Sequence, residues 1–165
     1  MRHGDARWQD PSLSDLERPL SRRGNSAAES MARRLLELQL VPDLLLASPA
    51  RRTQQTADIL ARELALPARR VLREEGLSLA SAADLLKVAQ TTGPRVAHLL
   101  VVGHNPGISE LVQLLVPRGE AEGLSTAAVC SISFAADDWT AIAPECVHEV
   151  RRERPPARGL FGLFG

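Results

Sequence analysis

Tyrosine is absent from this chain, lysine occurs once, at Lys87, and cysteine only twice. Cys130 and Cys146 stand 16 positions apart with neither a Cys-x-x-Cys nor a neighbouring His-x-x-x-His, so zinc-ligand spacing is missing and no disulfide framework is indicated. A reduced, cytoplasmic setting is the expectation. No apolar run approaches the ~20 residues that a membrane span needs, and the first turns of sequence are too polar for a signal peptide, so neither a membrane partner nor export is expected. An excess of either charge is missing as well: 20 basic and 20 acidic residues leave a formal net charge of +0. That balance removes the chain-wide electrostatic argument for nucleic acid or an anionic membrane surface, and any anion site has to be local. There is no Gly-x-Ser-x-Gly turn of a serine hydrolase and no Gly-Lys-Ser or Gly-Lys-Thr of a P-loop. Arginine makes up all the basic residues but Lys87, a skew from which no mechanism follows.

What is present is enough for one core. The chain has 165 residues, 44% of them hydrophobic, which at ~100 to 200 residues per domain reads as a single unit. From Gly24 to Gln39 the apolar positions Ala28, Met31, Ala32, Leu35 and Leu36 recur at helical spacing. Leu44 to Ala47 is a short apolar run of the kind a buried strand shows. Ser48 and Pro49 read as the N-cap and first-turn proline of a helix that Pro67 closes. A brief strand at Val71 and Leu72 follows, then a capping-box-like start at Ser81 and Asp84 to a helix through Val88. His98 to Val102 is a further buried strand, and Asn105 and Pro106 open a helix through Leu115. This alternation predicts an α/β fold, a three-layer sandwich with a mostly parallel sheet covered by helices on both faces. Ala128 to Phe134 and Trp139 to Ala143 are expected to form a closing hairpin. The domain is expected to span 1–150, with 151–165 as a flexible Arg/Pro/Gly-rich tail.

Three segments place a histidine or arginine where a predicted strand gives way to a loop or helix, the edge at which open α/β sheets bind ligands. They are Arg2-His3-Gly4, Ser48 to Thr56, and Gly103 to Gly107. Each alone has a bland reading: a terminal histidine, two solvated arginines, a histidine capping a loop carbonyl. Together they predict convergence. Asn105 and Pro106 aim a helix N-terminus at the strand ends, and Arg52 in the first turns of its helix offers a planar fork to phosphate oxygens.

On these residues the chain resembles the histidine phosphatase superfamily, and within it the short SixA-type phosphohistidine phosphatases. The resemblance is carried by Arg2-His3-Gly4-Asp5-Ala6, by Arg18-Pro19-Leu20-Ser21 with Gly24, by Pro42-Asp43 leading to Ser48-Pro49-Ala50-Arg51-Arg52-Thr53, and by Gly103-His104-Asn105-Pro106. It implies that His3 is a nucleophile phosphorylated in turnover and that Arg2, Arg52 and His104 bind the phosphoryl oxygens, with Gly4 and Asn105 also lining the substrate site. Arg51 stands one position before the matching arginine and is left out. No metal and no cofactor is implied. Larger family members supply a carboxylic acid for an alkoxide leaving group, and the candidates here, Glu74 and Glu75, lie in no matching motif. Asp5 reads equally well as a loop cap. An imidazole leaving group needs less acid help than an alcohol, so the expected substrate is a phosphohistidine protein. The alternatives are a general small-molecule phosphomonoesterase and a phosphoprotein-binding module without turnover. Arg2-His3-Gly4 also reads as the end of a first strand with only Met1 before it, so that strand is expected to be missing or truncated.

Overall fold

The computed structural model describes residues 1–7, 11–116 and 123–156. Its centre is a parallel sheet in which β1 (Leu44–Ala47) lies between β2 (Val71–Arg73) and β3 (Leu99–Val102). Leu45 pairs with Val71 on one side and Leu100 on the other. Side-chain alternation along these short strands divides the core. Leu45, Ala47, Leu100 and Val102 face one cluster with Met31, Leu35 and Leu60, from α1 (Arg22–Glu37) and α2 (Arg51–Glu63). Leu46 faces the other with Leu85, Ile108 and Val112, from α3 (Ala82–Gln90) and α4 (Gly107–Leu115). Helices therefore cover both faces of the sheet, the three-layer α/β arrangement expected from the alternation.

The antiparallel part differs from its expectation. β4 (Val129–Phe134) pairs with β5 (Val147–Glu153), while Trp139–Ala141 is a single 3-10 turn. The Trp139 indole donates to the Val96 carbonyl at 2.6 Å, and Ile142 is buried, so this stretch is an anchor beneath the sheet rather than a strand. Arg151, Arg152 and Glu153 are the last residues of β5, so a boundary after Val150 cuts a strand. Residues 157–165, most of the expected tail, lie outside the described residues.

Two helix starts are also displaced. Ala50, not Ser48, occupies the N-cap of α2, and Pro106, not Asn105, occupies that of α4. Ser48 and Asn105 are freed for side-chain contacts described below. The start of α1 is capped by Ser21, whose hydroxyl accepts from Gly24 at 3.0 Å.

Met1 to His3 is a three-residue strand stub held on both sides. The Met1 amine donates to the Val101 carbonyl at 2.8 Å, Gly103 donates to Met1 and His3 donates to Gly103, each at 3.1 Å. On the other flank Arg2 donates to Ala128 at 3.1 Å and Ala127 to His3 at 3.0 Å. The expected strand is seen here as this stub, with a parallel bridge between Arg2 and Gly103.

Gly24 explains how this stub is aimed. A Cβ there would lie 2.1 Å from the Asp5 carbonyl oxygen, because the first turn of α1 packs against the backbone that follows His3. Ser21 adds two bonds to the same loop, its hydroxyl donating to the Asp5 carboxylate at 2.7 Å and its amide to the Asp5 carbonyl at 2.9 Å. Asp5 is a loop clamp, as its bland reading held. Gly24→Ala is expected to cost about 1–3 kcal/mol by overpacking, measured by thermal denaturation, and to lower activity with it. An unchanged melting temperature would show that the loop yields freely.

Candidate active site

The three expected segments meet at the C-terminal edge of the parallel sheet. His3 and His104 stand with ring centroids 5.1 Å apart and planes tilted by 59°. Between them reaches Arg52, from the first turn of α2. Its Nε donates to His3 Nε2 at 3.3 Å, and its Nη2 donates to His104 Nδ1 at 3.1 Å.

These bonds settle which nitrogen of each ring carries a proton. A guanidinium has no acceptor, so both ring atoms that meet Arg52 accept. His3 Nδ1 lies 2.6 Å from the Gly4 carbonyl and, as the protonated nitrogen, donates to it. The lone pair of His3 is therefore on Nε2, where it accepts from Arg52, and the Gly4 carbonyl holds the ring in that tautomer. His104 is the mirror case: Nδ1 accepts from Arg52, and Nε2 donates to the Ser48 hydroxyl at 2.8 Å.

Burial keeps both rings neutral. His3, only 9% exposed, has its pKa pushed down to about 4, first by desolvation and then by the charges of Arg52 and Arg2, against a counteracting bond to the Gly4 carbonyl. His104 is pushed down to about 4 by desolvation and by Arg52. A neutral imidazole has the lone pair that nucleophilic attack requires.

Arg2 supplies the other cation. Its Nη1 donates to the Leu124 carbonyl at 3.0 Å, while its Nε is buried without a protein partner. Desolvation pulls its pKa below the usual value for arginine. Its charge reaches both rings, helping to lower the pKa of each.

Other expected residues have different duties. The Gly4 amide is taken by Thr56 Oγ1 at 3.1 Å and so is not offered to a ligand. Asn105 binds the segment that passes over Arg2: its Nδ2 donates to the Leu124 carbonyl at 3.0 Å, and its Oδ1 accepts from Ser109 at 2.7 Å. Arg51 is exposed, in keeping with its omission. Glu74 accepts from the Gly76 amide at 3.0 Å, and Glu75 pairs with Arg73 at 2.7 Å. Among the described residues no group of three histidine, cysteine, aspartate or glutamate side chains could hold a metal ion.

Two participants were not identified from the sequence. Ser48, fully buried at the end of β1, orients His104. Asp15, 60% exposed, pairs with Arg52 Nη2 at 2.8 Å and also takes Nη1 on its backbone carbonyl. Its carboxyl is held below the ordinary range chiefly by that guanidinium. The capping box of Ser14 and Glu17 shapes the turn that carries it, and was a local signal for the turn but not for its partner.

Comparison with known proteins bears on this geometry. A family model described as histidine phosphatase superfamily (branch 1) matches residues 1–78. An uncharacterized protein of Picosynechococcus sp. is 31% identical over 114 residues, 69% of this chain and 69% of that protein. The chain spans about two thirds of the length of the curated relatives it matches, 66% and 69%. Among solved structures, the protein histidine phosphatase SixA complexed with tungstate superposes with a TM-score of 0.77 at 26% identity, covering 94% of each chain. Mycobacterial glucosyl-3-phosphoglycerate phosphatase shares the fold, with a TM-score of 0.63 at 19% identity over 93% of this chain and 94% of that one.

Proposed function

Since the chain belongs to the histidine phosphatase superfamily, we propose that it removes phosphate from phosphohistidine in proteins, with His3 as the covalent acceptor. The observation that carries this reading is the tautomer of His3. Its Nδ1–H is tied to the Gly4 carbonyl, which leaves the lone pair on Nε2, the atom that accepts from Arg52 and that an incoming phosphoryl group would take over.

In the first step the substrate ring takes a proton from solvent on its other nitrogen, His3 Nε2 attacks phosphorus, and the P–N bond to the substrate histidine breaks with its electron pair left on the departing neutral imidazole. Positive charge appears on the His3 ring as the new P–N bond forms, and the Gly4 carbonyl stabilises it through Nδ1–H. Arg52 and Arg2 hold the phosphoryl oxygens, whose spread negative charge is the main thing to be stabilised. In the second step water attacks phosphorus, its proton leaves to solvent or phosphate, and His3 Nε2 recovers its pair. An anion arriving beside His104 counters the arginine charge that helps depress it, so its pKa rises, and once protonated on Nδ1 the ring can donate to the phosphate.

Leaving-group chemistry supports the N–P substrate over an ester. His3 and His104 make their hydrogen bonds to Gly4, Arg52 and Ser48, and Asp15, a carboxylate beside this set, is engaged by Arg52. A phosphohistidine ring protonated by solvent on its other nitrogen departs as neutral imidazole and needs no acid from the protein, whereas an alkoxide does. Phosphate release from a phosphohistidine protein, compared with release from sugar phosphates, tests the choice. Equal or faster hydrolysis of sugar phosphates would favour a small-molecule phosphomonoesterase, the reading to which the mycobacterial structure lends its fold.

The same pocket is expected to bind tetrahedral or trigonal oxyanions. Vanadate and tungstate should inhibit competitively with phosphate, and EDTA should leave the rate unchanged. Loss of activity in EDTA with recovery on adding a divalent ion would overturn the arginine-and-histidine site. The thiols of Cys130 and Cys146 are free, which fits the proposed reducing, cytoplasmic setting.

A further inference from the structure

A cavity of about 250 Å³ adjoins His104. It shares His104 and Asn105 with the active site, and Leu77, Leu79 and Leu85, from α3 and the chain leading into it, are among its other walls. Leu77 and Leu85 are almost fully buried, so the depth of the cavity is apolar, while Leu79 is 90% exposed. Glu110, an exposed residue of α4, also lines the space and disfavours an anionic occupant such as a second phosphate.

Leu79 is unusual in two independent ways. It is the most exposed large apolar side chain among the described residues. Its φ is 52°, in the left-handed region that a bulky side chain rarely adopts. The position follows the 3-10 turn Glu75–Leu77, and glycine or asparagine would leave such a turn with less strain. The loop is nonetheless held from both sides. Ser78 donates to the Glu75 carbonyl at 3.0 Å, and Ser81 and Asp84 cap the start of α3 reciprocally. A Cβ on Gly107 would lie 2.1 Å from the Ala80 carbonyl oxygen, so the loop is packed against the start of α4, close to His104 in the chain. A single exposed leucine needs no explanation, but this one borders an apolar cavity that shares walls with the reacting centre. A second exposed leucine, Leu16, follows Asp15, whose carboxylate and carbonyl hold Arg52. Apolar groups therefore stand on the Arg52 side and on the His104 side of the phosphoryl site.

We propose that Leu79 and the cavity it lines form a specificity subsite, which takes an apolar side chain next to the phosphohistidine on the surface of the substrate protein. This rests on the phosphohistidine reading above and adds which protein surfaces are accepted: those with leucine, isoleucine or methionine beside the phosphorylated ring. Arg52 and His104 fix the phosphoryl group, and a neighbouring side chain then enters the cavity that begins at His104. A sugar phosphate would bring hydroxyls to the same place, where Leu77 and Leu85 offer them no partner. Leu79 touches no reacting atom and acts on the choice of substrate alone.

Two variants and three substrates test this. Leu79→Asn keeps a side chain of similar length and suits the left-handed backbone, but removes the apolar contact. Leu79→Met keeps that contact. The substrates are N-acetyl phosphohistidine, which has no flanking side chains, and two otherwise identical peptides whose phosphohistidine is flanked on both sides by leucine or by serine. The wild type is expected to favour the leucine peptide by about tenfold or more in kcat/KM. In Leu79→Asn that preference should fall to about twofold or less through a raised KM, with N-acetyl phosphohistidine hydrolysed at the wild-type rate and Tm equal or higher. Leu79→Met should keep most of the preference. Equal use of the two peptides by the wild type would overturn the proposal, as would an undiminished preference in Leu79→Asn. A loss in Leu79→Asn of equal size on all three substrates, or a lowered Tm, would make Leu79 a structural residue and overturn it too. These failures leave the proposed function standing. A wild type that hydrolyses none of the three substrates would instead overturn the proposed function, and this subsite with it.

Discussion

His3→Ala is expected to abolish phosphohistidine hydrolysis, with a loss of about 10⁴-fold or more in kcat. The size follows from chemistry that nothing else in the cluster supplies. Nε2 of His3 is the atom proposed to form the new bond, its contact with Arg52 Nε giving way as the guanidinium takes up the phosphoryl oxygens, whereas His104, with its Nε2 proton given to Ser48, is proposed to bind the phosphate. His104→Ala removes a phosphate donor and leaves the acceptor in place, so a smaller loss, about 10²- to 10³-fold, is expected. Labelling by a phosphodonor separates the two, being lost in His3→Ala and kept, slowly, in His104→Ala. Turnover at the wild-type rate in His3→Ala would falsify the covalent mechanism.

The same residue sets a pH limit. The folded pKa of about 4 lies below the ordinary histidine value of 6.5, so at neutral pH the ring is already in the neutral form that the proposed attack requires. The acid limb of kcat/KM assigned to His3 in the free enzyme should therefore lie near pH 4 rather than 6.5. The sign for stability is the same. Between about pH 6.5 and 4 the unfolded chain binds protons at His3 and His104 that the folded chain refuses, so stability falls as pH drops through that window. Denaturant midpoints at pH 7 and pH 5 check this, and the double variant His3→Gln, His104→Gln should flatten the difference.

The parts of this arrangement that were legible in the sequence are those encoded locally. The apolar spacing around Met31 and Leu35 and the uninterrupted Leu44 to Ala47 need no knowledge of distant partners to read as helix and buried strand. β5 was illegible for the opposite reason. It is an edge strand whose His148, Glu149, Arg151, Arg152 and Glu153 offer charge instead of alternation, a pattern that also suits a solvated tail and that blunts a free edge. Trp139 to Ala143 alternates like a strand, but its indole bond to Val96, 43 residues away, holds it as an anchor. In the site, His3, Arg52 and His104 were recognisable because strand ends in an α/β sheet converge. Ser48 and Asp15 were not, because their roles depend on partners 56 and 37 positions distant, and a serine before a proline reads first as a cap.

Arg52→Lys is expected to lower kcat/KM by about 10²- to 10³-fold, nearly as damaging as Arg52→Ala, although the charge is kept. One planar group here serves three directions at once. Nε addresses His3, Nη2 is shared between His104 and the Asp15 carboxylate, and Nη1 meets the Asp15 backbone. An ammonium on a flexible stem can satisfy at most part of that set, and it cannot present two parallel N–H groups to a phosphoryl edge. The loss should be felt in binding as well as in turnover, since the fork meets phosphate in the ground state and in the transition state alike. Vanadate affinity is the direct measure: Arg52→Lys should weaken it at least about tenfold, in keeping with a charge-assisted bond worth about 1.5–3 kcal/mol. Thermal stability should change little, because Asp15 is largely exposed and the pair it forms with Arg52 is partly screened by water. Full vanadate affinity in Arg52→Lys would mean that Arg52 serves the Asp15 turn alone and that Arg2, with its buried and unpartnered Nε, carries the anion.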